Sequence, residues 1–99
     1  MMKKIDKYTA LVMQPHVRVA DDRAGIQVNL ERALRMIDFG VGYQWELPAR
    51  LVVFPEYSLH GLRKSSWASD EVMCDMDGPQ VERLRAACRE SAVWGCFSI

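Results

Sequence analysis

The run Leu51-Val52-Val53-Phe54-Pro55-Glu56-Tyr57-Ser58-Leu59-His60-Gly61 constrains this chain more than any other stretch. Its four leading apolar residues, two of them β-branched, predict a short buried strand. Pro55 offers no N–H to a sheet ladder and is expected to stop that strand. Glu56 then stands just past the strand's C-terminal end, the edge at which open α/β sheets bind ligands and place catalytic groups. Gly61 closes the segment with a residue that tolerates positive φ. A carboxylate half buried beside Phe54 and Tyr57 is expected to have a raised pKa and to serve as a general base. The competing reading is a surface glutamate in the turn after a strand.

Around this stretch the chain alternates strands and helices. Tyr8 to Gln14 is nearly continuously apolar and stops at Pro15. It predicts a first strand buried on both faces, a central strand of a parallel sheet. His16 comes next and could share a rim with Glu56, or be a solvated loop residue. Asp21 or Asp22 is a candidate helix N-cap. Ile26, Leu30, Ala33, Leu34, Ile37 and Val41 then recur on one face of a long helix. Glu31 and Arg35 form an i,i+4 pair on its outer side. Asn29, a poor helix-interior residue, is expected to bond to a neighbouring loop. Gly40, Gly42 and Pro48 end the helix.

Residues 62–77 carry no periodic pattern. A segment of that length is expected to be a functional or lid-like loop, or a surface excursion with Trp67 folded back for burial. Asp77-Gly78-Pro79-Gln80 predicts a helix start, with Asp77 as cap, Pro79 in the first turn and Gln80 completing a capping box. Val81, Leu84, Ala87, Cys88 and Ala92 form the apolar stripe, which makes Cys88 a core residue rather than a nucleophile. Val93 to Ile99 predicts a third strand. The order β-α-β-loop-α-β requires crossover connections and hence a mainly parallel α/β sheet.

Composition narrows the function classes. The 99 residues fit one small domain, and acidic and basic residues balance to a formal net charge of zero. Interspersed charge of that kind argues against a nucleic-acid surface or a polybasic membrane anchor. The N-terminal apolar run, Tyr8 to Met13, is too short for a secretory core or a membrane span, which points to a cytoplasmic protein. Cys74, Cys88 and Cys96 lack metal-ligand spacing and are expected to be free thiols.

The block Phe54-Pro55-Glu56-Tyr57-Ser58-Leu59 with Gly61 resembles the first signature of the nitrilase superfamily of carbon–nitrogen hydrolases. It is most similar to the aliphatic amidase and formamidase branch. Asn29-Leu30-Glu31-Arg32-Ala33, Ala87-Cys88-Arg89 and Val93-Trp94-Gly95-Cys96-Phe97-Ser98 resemble further blocks in the same order, so the likeness runs from Tyr8 to Ile99. The resemblance implies that residues 1–99 are the N-terminal, truncated part of an α-β-β-α sandwich domain. It also implies a homo-oligomer that hydrolyses short aliphatic amides without metal or organic cofactor. Glu56 would be the general base of a Glu-Lys-Cys triad, and Tyr57 would line the small acyl pocket.

The departures are specific. The family's lysine, second glutamate and nucleophilic cysteine lie further along than this sequence reaches. Lys64 is in the wrong segment to be that lysine, and Cys96 sits mid-strand rather than on a strand-to-turn elbow. His60 stands where the branch commonly has glutamine. Ile99 ends in an apolar strand, so three strands and two helices are expected to leave one sheet face and one edge partly bare. Two functions are compatible with this: an amidase piece holding only the glutamate, or a non-catalytic module that binds a partner through its exposed sheet edge.

Overall fold

Asp22 starts the first helix as its cap. Its backbone is extended, at φ −154°, and its carboxylate accepts the Gly25 N–H at 2.9 Å. The computed structural model describes residues 7–43, 46–61 and 74–99. Within them run β1 (Thr9–Val12), α1 (Arg23–Gly42), β2 (Ala49–Glu56), α2 (Pro79–Ser91) and β3 (Trp94–Ser98). The expected β-α-β-α-β order is therefore present, and it corresponds to the first part of a nitrilase-type sandwich. The greater part of the unpatterned loop, 62–73, including Lys64 and Trp67, lies outside the described residues.

The three strands form one parallel sheet in the order β1-β2-β3. This corrects the expectation that the first strand is central. Among the described residues β1 is an edge strand, and Val12 is 73% exposed, because an apolar run reports the composition of a strand and not its neighbours. β2 holds the centre. Consecutive right-handed crossovers in a 1-2-3 order carry both helices to the same face. α1 and α2 accordingly pack on each other, with Arg83 of α2 donating to Glu31 of α1. That bond crosses between the helices, whereas sequence spacing pairs Glu31 with Arg35.

The core lies between these helices and the sheet. Ile26, Leu30, Ala33 and Ile37 of α1 meet Leu84 and Cys88 of α2 over Val52 and Phe54 of β2. Phe54 stacks on Phe97 of β3 with ring centroids 5.0 Å apart. Every apolar position in the α1 stripe that the 3.6-residue period selects is buried or packed against the core. Cys88 is buried, as its place in the stripe predicts, and desolvation pushes its thiol pKa up. α2 differs from expectation at its start. Gly78, not Asp77, is the N-cap, and no side chain caps the helix. The Gly78 N–H instead donates to the Asp75 carbonyl at 2.9 Å, which closes a turn before Pro79 takes the first helical position.

The opposite face of the sheet carries Ala10 and Val12 of β1, Leu51 and Val53 of β2, and Trp94 and Cys96 of β3. Pairing places Ala10, Leu51 and Trp94 in one cross-strand row and Val12, Val53 and Cys96 in the next. Among the described residues no helix covers this face, and Trp94 is 80% exposed. The partly bare face expected from the element count is thus present in these residues.

Candidate functional site at the end of the central strand

Pro55 does not stop β2. The strand continues through it to Glu56, and the ladder accommodates it with a bulge. Val53 pairs with Cys96 and Glu56 with Ser98, so β2 spends three steps where β3 spends two. The extra residue lets a proline without an N–H lie inside the strand. It also re-aims the side chain beyond the proline. Val52 and Phe54 point to the helices, and strict alternation would send Glu56 the same way. The bulge instead puts Glu56 in register with Ser98, on the same side as Val53 and Cys96.

That re-aiming explains a second correction. Sequence neighbours predict a half-buried Glu56 between Phe54 and Tyr57. Glu56 is exposed, because the bulge separates it from the Phe54 side of the sheet. The burial expected around it is absent among the described residues. The carboxylate stands at the C-terminal end of the central strand of a parallel sheet, the edge the sequence assigns to it.

The turn after Glu56 is tightly specified. Tyr57 has φ 59°, a left-handed conformation that costs a non-glycine residue on the order of 1 kcal/mol or more. The Ser58 hydroxyl donates to the Pro55 carbonyl, and the Gly61 N–H donates to the Tyr57 carbonyl at 2.8 Å. Leu59, 1% exposed, anchors the turn in the core. Gly61 has φ 76°, so its expected positive φ is present. The Tyr57 and His60 rings lie 5.4 Å apart, a contact that no sequence pattern signals. The His60 Nδ1 lies 2.9 Å from the Gly61 carbonyl.

Asn29 joins this turn to the loop after β1. It is buried at 3% exposure, accepts the Arg18 N–H at 3.0 Å, and donates to the Arg18 and Leu59 carbonyls, each at 2.7 Å. The expectation that this residue bonds to a neighbouring loop is met twice over. His16 lies on the same loop at the same end of the sheet. It is exposed, and its carbonyl accepts from Arg32.

Cys74 and Cys88 pack against the helix-side core, whereas Cys96 lies on the same sheet face as Glu56. Cys74 is partly buried and its thiol pKa is raised by desolvation, against the pull of Arg23. Both it and Cys88 are correspondingly poor thiolates. Cys96 is exposed, two residues before the Ser98 partner of Glu56. Among the described residues no cluster of three or more His, Cys, Asp or Glu side chains could hold a metal ion. No described helix is long and apolar enough to cross a membrane. A groove of about 530 Å³ between α2 and β3, floored by Val81, Leu84, Cys88 and Phe97, is lined by neither Glu56 nor Tyr57.

No family model matches the chain. Individual relatives do. A formamidase of Pseudomonas syringae pv. tomato is 61% identical over 49 residues, which is 50% of this chain and 14% of that protein. A formamidase of Pseudomonas syringae pv. syringae is 59% identical over a stretch of the same length. A formamidase of Bacillus cereus strain Q1 is 35% identical over 100 residues, covering 100% of this chain and 29% of the relative. The chain therefore spans less than a third of the length of these relatives. It has partial homology to proteins named formamidase, consistent with a broad carbon–nitrogen hydrolase family.

Proposed function

We propose that this chain supplies the general-base strand and turn of an amide-hydrolysing site, with residues 1–99 forming the N-terminal part of the catalytic domain. The observation that carries the reading is Glu56, held at the C-terminal end of the central strand between a proline bulge and a clamped turn. The similarity to formamidases gives the reaction class: a short aliphatic amide, or formamide, hydrolysed to its carboxylic acid and ammonia.

In the Glu-Lys-Cys scheme that the resemblance implies, a cysteine sulfur bonds to the amide carbon while Glu56 takes the thiol proton. Collapse of the tetrahedral adduct breaks the C–N bond, and the nitrogen leaves as ammonia after receiving that proton. Glu56 then accepts a proton from water as the water oxygen attacks the thioester, releasing acid and thiol. A lysine stabilises the oxyanion in both steps. Of these groups the chain contributes Glu56, with Tyr57 at the acyl pocket. Cys96 lies mid-strand and Lys64 in another segment, so neither takes the missing roles. An exposed Glu56 acquires the partly dry surroundings of a useful base only once the rest of such a site encloses it.

The test is ammonia release from formamide, acetamide and propionamide. Residues 1–99 by themselves should be inactive. In a polypeptide that carries the remaining groups, Glu56→Gln should lower kcat by at least about 10²-fold with little change in melting temperature. Full turnover by that variant would sink the assignment.

A second reading is favoured by one observation, the open sheet face with Val12 and Trp94 exposed. On this reading the chain is a non-catalytic module that associates through that face or the adjoining sheet edge. A stable, folded 99-residue product that stays inactive with every complementing segment, and self-associates through Trp94, would favour it over the amidase.

A further inference from the structure

We infer that Asn29 is the positioning residue of the proposed base: through the turn it holds, it fixes where Glu56 points. The inference rests on the general-base reading for its catalytic consequence, but its structural part stands on contacts alone.

Glu56 is the last residue of a strand and the first before a strained turn. Upstream it is held by the ladder to Ser98. Downstream, Tyr57 occupies a left-handed conformation that a free tyrosine would leave, and such a conformation persists only where its surroundings enforce it. The bonds of Ser58 to Pro55 and Gly61 to Tyr57 supply part of that enforcement, and the turn's far end supplies the part that reaches another loop. There the Leu59 carbonyl is taken by the Asn29 amide at 2.7 Å. The next residue's carbonyl accepts the Ala20 N–H at 2.9 Å. The same Asn29 amide holds both backbone groups of Arg18, so one buried side chain ties together two loops that have no ladder between them. Their contact is close enough to exclude a side chain. A Cβ on Gly61 would stand 2.9 Å from the Val19 Cα and 3.0 Å from the Arg18 oxygen.

Asn29 has chemistry that no other side chain of its size provides: an acceptor for one loop N–H and two donors for two different carbonyls. Alanine would remove the Asn29 partner from one buried and two partly buried backbone groups. Aspartate would keep the acceptor and lose both donors. The turn would then relax towards φ < 0 at Tyr57 and carry Glu56 with it. A displacement of about 1 Å at a reacting group can cost about 10² in rate.

The first measurement is amide hydrogen exchange on the full chain. In Asn29→Ala and Asn29→Asp, exchange at Ala20 and Gly61 should accelerate by at least about tenfold, while Met13 and Glu82, bonded elsewhere, stay at wild-type rates. The one-bond Cα–Hα coupling of Tyr57 should lose its positive-φ value. If Asn29→Ala does not fold, Gly61→Ala pries the same contact from the other side and should give the same local pattern. Uniform acceleration across all amides, or none, overturns the clamp.

The second measurement is formamide turnover in a polypeptide that carries the remaining groups. Asn29→Asp should lower kcat by about 10²-fold with KM within a few-fold, and adding it to Glu56→Gln should cost nothing further. If exchange opens locally but Glu56→Gln keeps its turnover, the base assignment fails and the clamp stands. If Glu56→Gln is inactive while Asn29→Asp turns over normally, the base stands and the positioning role is overturned.

Discussion

The two faces of this three-stranded sheet come from alternate residues of the same strands, yet one is a core and the other is open. On the helix side Val52 and Phe54 are 0% and 3% exposed; on the other, Val12 and Trp94 are 73% and 80% exposed. Residue type does not separate them, since both faces are rich in apolar side chains. The connections do. Each β-α-β crossover lays its helix on the same side, and the helices meet over β2. Apolar character therefore sets the capacity for burial, and topology decides which half of that capacity is used.

The sharpest way to break this comparison is to remove one large ring from each face. Phe54→Ala deletes a ring stacked on Phe97 in the core and should cost about 3–5 kcal/mol. Trp94→Ala on the open face should change stability by no more than about 0.5 kcal/mol. Urea unfolding monitored by circular dichroism measures both. Equal costs would mean that the open face is packed in solution, against a second copy or another segment.

A smaller contrast lies within β3. Gly95 faces the helices, and a Cβ there would stand 2.4 Å from the Phe97 ring and 2.7 Å from the Cys88 sulfur. Gly95→Ala should destabilise by about 1–3 kcal/mol through overpacking. Cys96→Ala, one residue on and facing outward, should stay within about 0.5 kcal/mol. The same denaturation experiment decides. A neutral Gly95→Ala would show that the helix layer is loose over β3.

The open face also makes a prediction about association. Trp94→Ser should shift sedimentation towards the monomer at concentrations where the unchanged chain self-associates, because it removes the largest exposed apolar group of the patch. An unchanged distribution would place the association elsewhere.

The smallest expected effect concerns the helix layer's own surface. Arg83, hydrogen-bonded to Glu31, holds that carboxyl below its ordinary value of 4.5. A folded pKa below the unfolded one contributes stability that is fully present above about pH 4.5 and is lost as pH falls through the lower folded value. Glu31→Gln should therefore slightly lower stability near neutrality, where the pair's contribution is fully present, match the unchanged chain at low pH, and so flatten the acid limb of a stability–pH curve. Both partners are well exposed, so the effect should be small and should shrink further in high salt.

Much of the scaffold is legible in the chain. The stripe from Ile26 to Val41 predicts α1 and its buried face, and Asp22 is one of the two caps it suggests. Asn29 stands out because its residue type is wrong for a helix interior, and that anomaly marks a real contact with two loops. The expectations that fail share a cause. The apolar run of β1 points to a central strand, Pro55 to a strand end, and Asp77 rather than Gly78 to a cap. Each rests on local chemistry where a non-local partner decides the outcome.

By itself, the sequence determined the kind and order of the elements. Short continuous apolar runs and a 3.6-residue period, together with connections too long for hairpins, leave little besides a parallel α/β arrangement. It also determined that a carboxylate would stand at the end of the second strand in the chain, since Glu56 comes directly after Phe54 and Pro55. The tertiary structure alone decided that β2 is flanked by β1 and β3, that one sheet face is covered, and that Glu56 belongs to the other. Strand order and register depend on which backbones pair, and no single strand encodes its neighbours. The bulge that turns Glu56 away from Phe54 exists because β3 supplies one residue fewer than β2 across the same span.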